Sequence, residues 1–335
     1  MIKPPLTHLK ELSTSIGLYE HARIDVPRKG HGYCVDDVSR GLILLCHEPE
    51  LDDETEVLVD VYLEFVLRAI EPDGSCHNRM DGAGNWHDDA STSDWWGRAV
   101  WALGVAAVHA PNQEQRSRSV EGFRTLTRAS TFDLMSLTFA ALGAGEVFIA
   151  DNKEVGAEKI LRAASTRLLP ADQSKPWKWP EDRLRYSNGS IAQAVMLTGI
   201  ALNQPQITET GIRMLEFLLE TETRQDHFSV TPVGGRGPDD QKPAFDQQPI
   251  ELAAIAGACV QAWLITKDSR WLEEIERAWG WFLGLNDAGA LMYVPETGGG
   301  YDGLQLLGPN LNQGAESTIS MLTTAQHAFR LASAG

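Results

Sequence analysis

The chain has few cysteines, no long apolar run and a shortage of positive charge, and each shortage removes a class of function. Its 335 residues hold four cysteines, scattered at Cys34, Cys46, Cys76 and Cys259 without a CxxC pair. If Cys34 and Cys46 share one helix, its rise holds them roughly 18 Å apart, too far for a disulfide. Reduced thiols and a cytoplasmic location are the expectation. The opening Met1-Ile2-Lys3-Pro4-Pro5 has no apolar h-region, and no run of about 18 uniformly apolar residues follows, so neither a signal peptide nor a membrane partner is expected. Lys and Arg number 29 against 46 Asp and Glu, a net charge of −17. A nucleic-acid partner, which wants a basic face, is therefore not expected either. Walker A, GxGxxG, GxSxG and HExxH motifs are missing, and the histidines keep no zinc-ligand spacing. Neither a metal nor a cofactor is expected.

What is present is helix after helix. Apolar periodicity predicts helices at roughly 5–21, 34–47, 54–70, 93–109, 113–129, 132–150, 153–169, 188–203, 206–222, 247–266, 268–284 and 314–332. Amphipathic, charged helices such as Glu54–Ile70 alternate with others, such as Phe132–Ala150, that are apolar or small all round. A helix apolar on every side must be packed on every side. The alternation predicts an all-α (α/α)6 barrel, an inner ring of buried helices inside an outer ring; an α-solenoid would need a fixed-length repeat, which is missing. No linker or charge run divides the chain, and a single domain over 1–335 is expected. Loops entering the inner helices are long (22–33, 71–92, 170–187, 223–246 and 285–313), those leaving them short. In an antiparallel ring the long loops share one face, and long structured loops are commonly functional.

That face collects HGYCVDDVSR from His31, NWHDDASTSDWWGR from Asn85, PWKWPEDRLRYSNG from Pro176, FDQQPIE from Phe245 and the Gly298–Ser317 stretch. Sugars present apolar C–H faces edged by hydroxyls, so aromatics beside carboxylates, amides and arginines suit a saccharide. Glycosidic cleavage needs two carboxyl groups, one to protonate the leaving oxygen and one facing it. Asp37, Asp182, Asp246 and Glu316 are the candidate catalytic acids. Candidate binding residues are His31, Tyr33, Asp36, Arg40, Trp86, His87, Asp94, Trp95, Trp96, Arg98, Trp177, Trp179, Glu181, Arg183, Arg236, Gln247, Gln248, Glu251, Asp302, Asn312 and Gln313. Acids at helix starts also serve as caps, and Glu251, two residues past Pro249, fits a capping arrangement with Gln248 equally well. Asp88 and Asp89 fit solvated loop charges. On this face the acids outnumber the arginines, which favours a neutral oligosaccharide or monosaccharide over an anionic one.

The segments GYCVDD, SDWWGRAVWALG, PEDRLRYSNG, FDQQPIE and NQGAES resemble the six-hairpin-glycosidase-like proteins often encoded beside, or fused behind, bacterial glycosyltransferases. The blocks keep that order over nearly the whole chain. The resemblance implies an (α/α)6 toroid with a central cleft, shared with many glycoside hydrolases and with N-acylglucosamine 2-epimerase-like sugar isomerases. It also implies a functional link to a glycosyltransferase. Val35 and Val38-Ser39 depart from the family's usual GYCTDDNAR, and Trp95-Trp96 from the small residue or His usual before GRA. A glycoside hydrolase is the leading expectation. A sugar isomerase or epimerase using His31 or His87, and a non-catalytic glycan-binding partner, are the alternatives.

Overall fold

The computed structural model describes residues 3–172 and 174–332; Met1 and Ile2 of the opening segment lie outside it. Its helices are α1 (Thr7–Leu12), α2 (Val35–Cys46), α3 (Asp53–Arg68), α4 (Asp94–His109), α5 (Gln113–Leu126), α6 (Leu134–Ala150), α7 (Val155–Arg167), α8 (Asn188–Ala201), α9 (Pro205–Glu222), α10 (Pro249–Thr266), α11 (Arg270–Phe282) and α12 (Ala315–Ala332). The even-numbered helices pack side by side, each on the next, and α12 returns to α2. Each odd-numbered helix leans on the outside of that ring. The chain has an (α/α)6 barrel fold.

Local chemistry explains where the helices begin. Asp52 and Asp133 accept backbone N–H bonds at the starts of α3 and α6, Asn112 and Gln115 form a reciprocal capping box on α5, and prolines open α9 and α10. Small residues let the inner helices touch. A Cβ on Gly104 would lie 2.4 Å from the Gly143 carbonyl oxygen, and one on Gly189 2.4 Å from that of Ala254, so backbone packs on backbone at α4–α6 and α8–α10. Helix α10 is long and apolar enough to cross a membrane by length and composition alone, but most of it is buried in this ring and it carries Glu251.

Two expectations need correcting. The first helix ends at Leu12, not 21. Ser13 turns its hydroxyl back to the Leu9 carbonyl and to Tyr62, Thr14 and Gly17 close a turn, and a Cβ on Gly17 would press on Phe65. The loops also hold five two-stranded ribbons: β1 (Ala22–Arg23) with β2 (Val26–Pro27), β3 (Tyr33–Cys34) with β4 (Arg79–Met80), β5 (Thr223–Arg224) with β6 (His227–Phe228), β7 (Tyr293–Val294) with β8 (Gly299–Gly300), and β9 (Gly303–Gln305) with β10 (Gly308–Asn310). Strands of two or three residues are too short to show alternation in a sequence. All five ribbons lie in loops that enter inner helices. They stiffen the face that carries the candidate residues.

Candidate active site

A cleft of about 340 Å³ opens on the long-loop face, where the N-termini of α2 and α12 meet the loops before α4 and α10. Six carboxylic acids line it, Glu20, Asp36, Asp37, Asp246, Asp302 and Glu316, against two arginines, Arg40 and Arg79. His21, Asn78, Gln248, Asn310 and Ser317 complete the polar wall.

The first turn of α2 organises the cleft. Cys34 caps the helix, its sulfur 3.4 Å from the Asp37 N–H and its thiol 3.2 Å from Asp37 Oδ2. Arg40, one turn on, donates from Nη1 to Asp37 Oδ1 at 2.5 Å and from Nη2 to Glu316 Oε2 at 2.7 Å. The same Nη2 lies 3.1 Å from Asp36 Oδ2. Asp36 also meets Arg98, whose Nε is 2.5 Å from Oδ1 and whose guanidinium sits 3.8 Å over the Phe139 ring. The β3–β4 ribbon brings Arg79 to the other wall, paired with Glu20.

These neighbours drive two adjacent acids apart. Burial pushes the Asp37 carboxyl up to about 7; Arg40 pulls against it, while Asp36, Glu316 and Glu20 push the same way as burial. Asp36 also suffers burial, but Arg40 and Arg98 together hold it below the usual carboxylate range. Near neutral pH the cleft therefore offers a proton on Asp37 beside an ionised Asp36. Burial, with Asp37 and Glu20 nearby, keeps the Cys34 thiol far above its ordinary value, so it is not a thiolate nucleophile. Below Arg40 and Arg98 a narrower cavity of about 110 Å³ follows the ring axis toward His47, Glu146 and His327. Burial lowers both of those histidines to about 4, so neither carries charge at neutral pH. Its lining lacks the clustered acids that make the upper cleft the better candidate for chemistry.

Of the residues expected from sequence, Asp36, Asp37, Arg40, Asp246, Gln248, Asp302 and Glu316 meet in this cleft, with Arg98 behind Asp36. Asp302 also accepts from the Gly314 N–H and the Ser317 hydroxyl, so it caps α12. Glu251 serves as a cap, but not for its own helix: it accepts from the Ser187 and Asn188 N–H groups and from the Asn188 amide, closing the start of α8. Asp94 accepts from the Tyr186 hydroxyl. Asn312 accepts from the Ile24 N–H, and Gln313 is buried with its carbonyl oxygen 2.8 Å from a ring nitrogen of His8.

Several aromatic candidates turn inward instead. Tyr33 stacks on Tyr19, Trp96 donates to the Gly74 carbonyl, Trp179 is buried against Phe217, and Gln247 is buried between Trp281 and Asp287. Trp86 stacks on His77, and Trp95 donates to the Cys76 carbonyl. These rings cover the core, and the indoles of Trp95 and Trp96 place their N–H groups on main-chain carbonyls. His31 and His87 are exposed, His31 edge-on to His21 at 5.0 Å. Trp177 and Arg236 line a different cleft, where Arg183 pairs with Asp240. Glu181 pairs with Arg185, and Asp182 is exposed and lines neither cleft. Glu20, His21, Asn78 and Arg79 were not legible, since only the pairing of distant loops brings them together.

No family model matches the chain, and no curated protein matches it. Solved structures do. A sugar epimerase from a ruminal bacterium superposes with a TM-score of 0.74 at 12% identity, over 96% of this chain and 95% of that one. Cellobiose 2-epimerase from Bacillus thermoamylovorans gives 0.73 at 12% identity, over 98% and 96%. A GH76 α-mannanase from Bacteroides thetaiotaomicron gives 0.66 at 11% identity, over 98% and 95%. At such identities the likeness establishes the fold and leaves the chemistry to the site.

Proposed function

We propose that this six-hairpin barrel is a carbohydrate-active enzyme whose central cleft cleaves a glycosidic bond in a neutral oligosaccharide. The observation that carries the reading is Asp37, its carboxyl raised to about 7, sharing Arg40 with Glu316 in a cleft with further carboxylates. Hydrolysis needs both kinds of group, a protonated one for the leaving oxygen and an ionised one to activate water or attack the anomeric carbon. Asp37 is the proton donor in this account, and Arg40 stabilises its carboxylate once the proton has left. Glu316, held on the other terminal nitrogen of Arg40, and Asp246 are the candidates for the second carboxyl group. Asp36 positions Arg40 and Arg98. Both cleft arginines already pair with the protein's own acids, which supports a neutral substrate over an anionic one.

The test is release of reducing ends from neutral oligosaccharides by the wild type and by Asp37→Asn, Glu316→Gln and Asp246→Asn. Asp37→Asn and at least one of the other two should lose activity by about a hundredfold or more while staying folded. Ordinary turnover in all three would overturn the assignment.

One observation favours a second reading. His21 lines the cleft with His31 edge-on beside it, and two of the superposing structures are epimerases. An imidazole could move the proton beside a sugar carbonyl, and exchange of a carbon-bound hydrogen with solvent is the signature of that chemistry. A purely glycan-binding role beside a glycosyltransferase would instead show as tight binding of an oligosaccharide that stays intact.

A further inference from the structure

A second cleft, of about 570 Å³, opens on the flank of the ring, where the loop before α8 and the loop before α10 meet α9. It is lined by Lys175, Arg236 and Lys242 against one acid, Asp240, with Trp177 and Phe217 as aromatic walls. In a chain of net charge −17 this reverses the general sign. Asp240 is already engaged, accepting from Arg183 at 2.7 Å and from the Gly237 N–H at 2.9 Å.

Arg236 is the anomaly. Only 3% exposed, it donates from Nη2 to the carbonyls of Ser229 and Val230, while Nε and Nη1 have no hydrogen-bond partner. Glu222 approaches Nε no closer than 4.0 Å, and its oxygens accept from the Thr231 N–H and hydroxyl. Lys242 donates to the carbonyls of Thr221 and Thr223, and Glu222 and Asp287 favour its charge only from a distance, with no hydrogen bond between them. Burial, and then Arg236, lowers its pKa. The two unpaired nitrogens of Arg236, beside Lys242 and Lys175, are stabilised by an anion, and a guanidinium fork suits the paired oxygens of a carboxylate or phosphate. The indole of Trp177 is fixed by its bond to the Glu181 carbonyl and its edge contact with Phe217, which makes it a firm apolar wall.

We infer that the flank cleft binds an anionic sugar, its carboxylate or phosphate on Arg236 and Lys242 and its ring against Trp177. The site stands apart from the central cleft and does not depend on cleavage there. Calorimetric titration with glucose 6-phosphate, glucuronate and glucose tests it, the first two separating phosphate from carboxylate. At least one charged sugar should bind about tenfold or more tighter than glucose. The K175A/K242Q double variant should lose that preference, as should R236Q where it folds, and D37N should keep it. Equal binding of all three sugars, or an undiminished preference in K175A/K242Q, would overturn the proposal. Inorganic phosphate binding as tightly as glucose 6-phosphate would overturn the role of Trp177.

Discussion

The entrance of α2 and the entrance of α8 each bury a carboxyl group on the same face of the ring. Asp37 at the first is raised to about 7, and Glu251, beside the second, to about 8, with burial the leading cause in both. By titration alone the two would look alike. Their partners separate them. Glu251 spends its oxygens on three N–H donors at the start of α8, whereas Asp37, bonded by Arg40 and the Cys34 thiol, lines a cleft and shares Arg40 with Glu316. A perturbed acid marks a candidate site only where it also lines a cleft among other acids.

The largest expected effect is on activity. Asp37→Asn removes the proton donor and should lower kcat by about a hundredfold or more, with circular dichroism and the melting curve still those of a folded protein. Glu251→Ala should do the opposite. Three N–H donors lose their acceptor, so stability should fall by about 3 kcal/mol in denaturant titration, while turnover per folded molecule stays near wild type. Loss of turnover without loss of stability in Glu251→Ala would erase the distinction between the two entrances.

The fold was legible because it is written in periodicity and loop length. Uniformly apolar helices such as α6 and α10 demanded an inner ring, and the uneven loops named the loaded face. Within the site, Asp36, Asp37 and Arg40 stood out because three charges crowd one helix start. The tryptophans did not separate: Trp96 and Trp179 look as functional in sequence as any loop aromatic, and only the path of the chain turns them to the core. Glu251 fits a binding residue and a cap with Gln248 equally well in sequence; it is a cap, but its partners open the neighbouring helix, where Ser187 with φ of +50° aims the N–H groups at it. Glu20 and Arg79 meet through a ribbon too short to announce itself.

A subtler effect is pH dependence. A donor works only while protonated, so kcat/KM should fall as pH rises through about 7, the raised value of Asp37. Stability carries the same sign. Between the ordinary aspartate value of about 3.9 and about 7, folded Asp37 keeps a proton that the unfolded chain has lost. The stability it contributes is present at the acid end and is lost as pH rises across that window. Urea titrations at several pH values should show this slope in the wild type and a shallower one in Asp37→Asn. The smallest effect belongs to Asp182, exposed and lining neither cleft, where Asp182→Asn should change kcat by no more than about twofold and stability by no more than about 0.5 kcal/mol.

The most direct test of the central claim is mass spectrometry of the products formed from neutral oligosaccharides in deuterated water. Hydrolysis by Asp37 and its partner predicts shortened chains with no deuterium bound to carbon, their formation slowed about a hundredfold or more in Asp37→Asn. Chains of unchanged length that carry deuterium at the carbon next to the anomeric centre would contradict it and assign the cleft to epimerisation through His21.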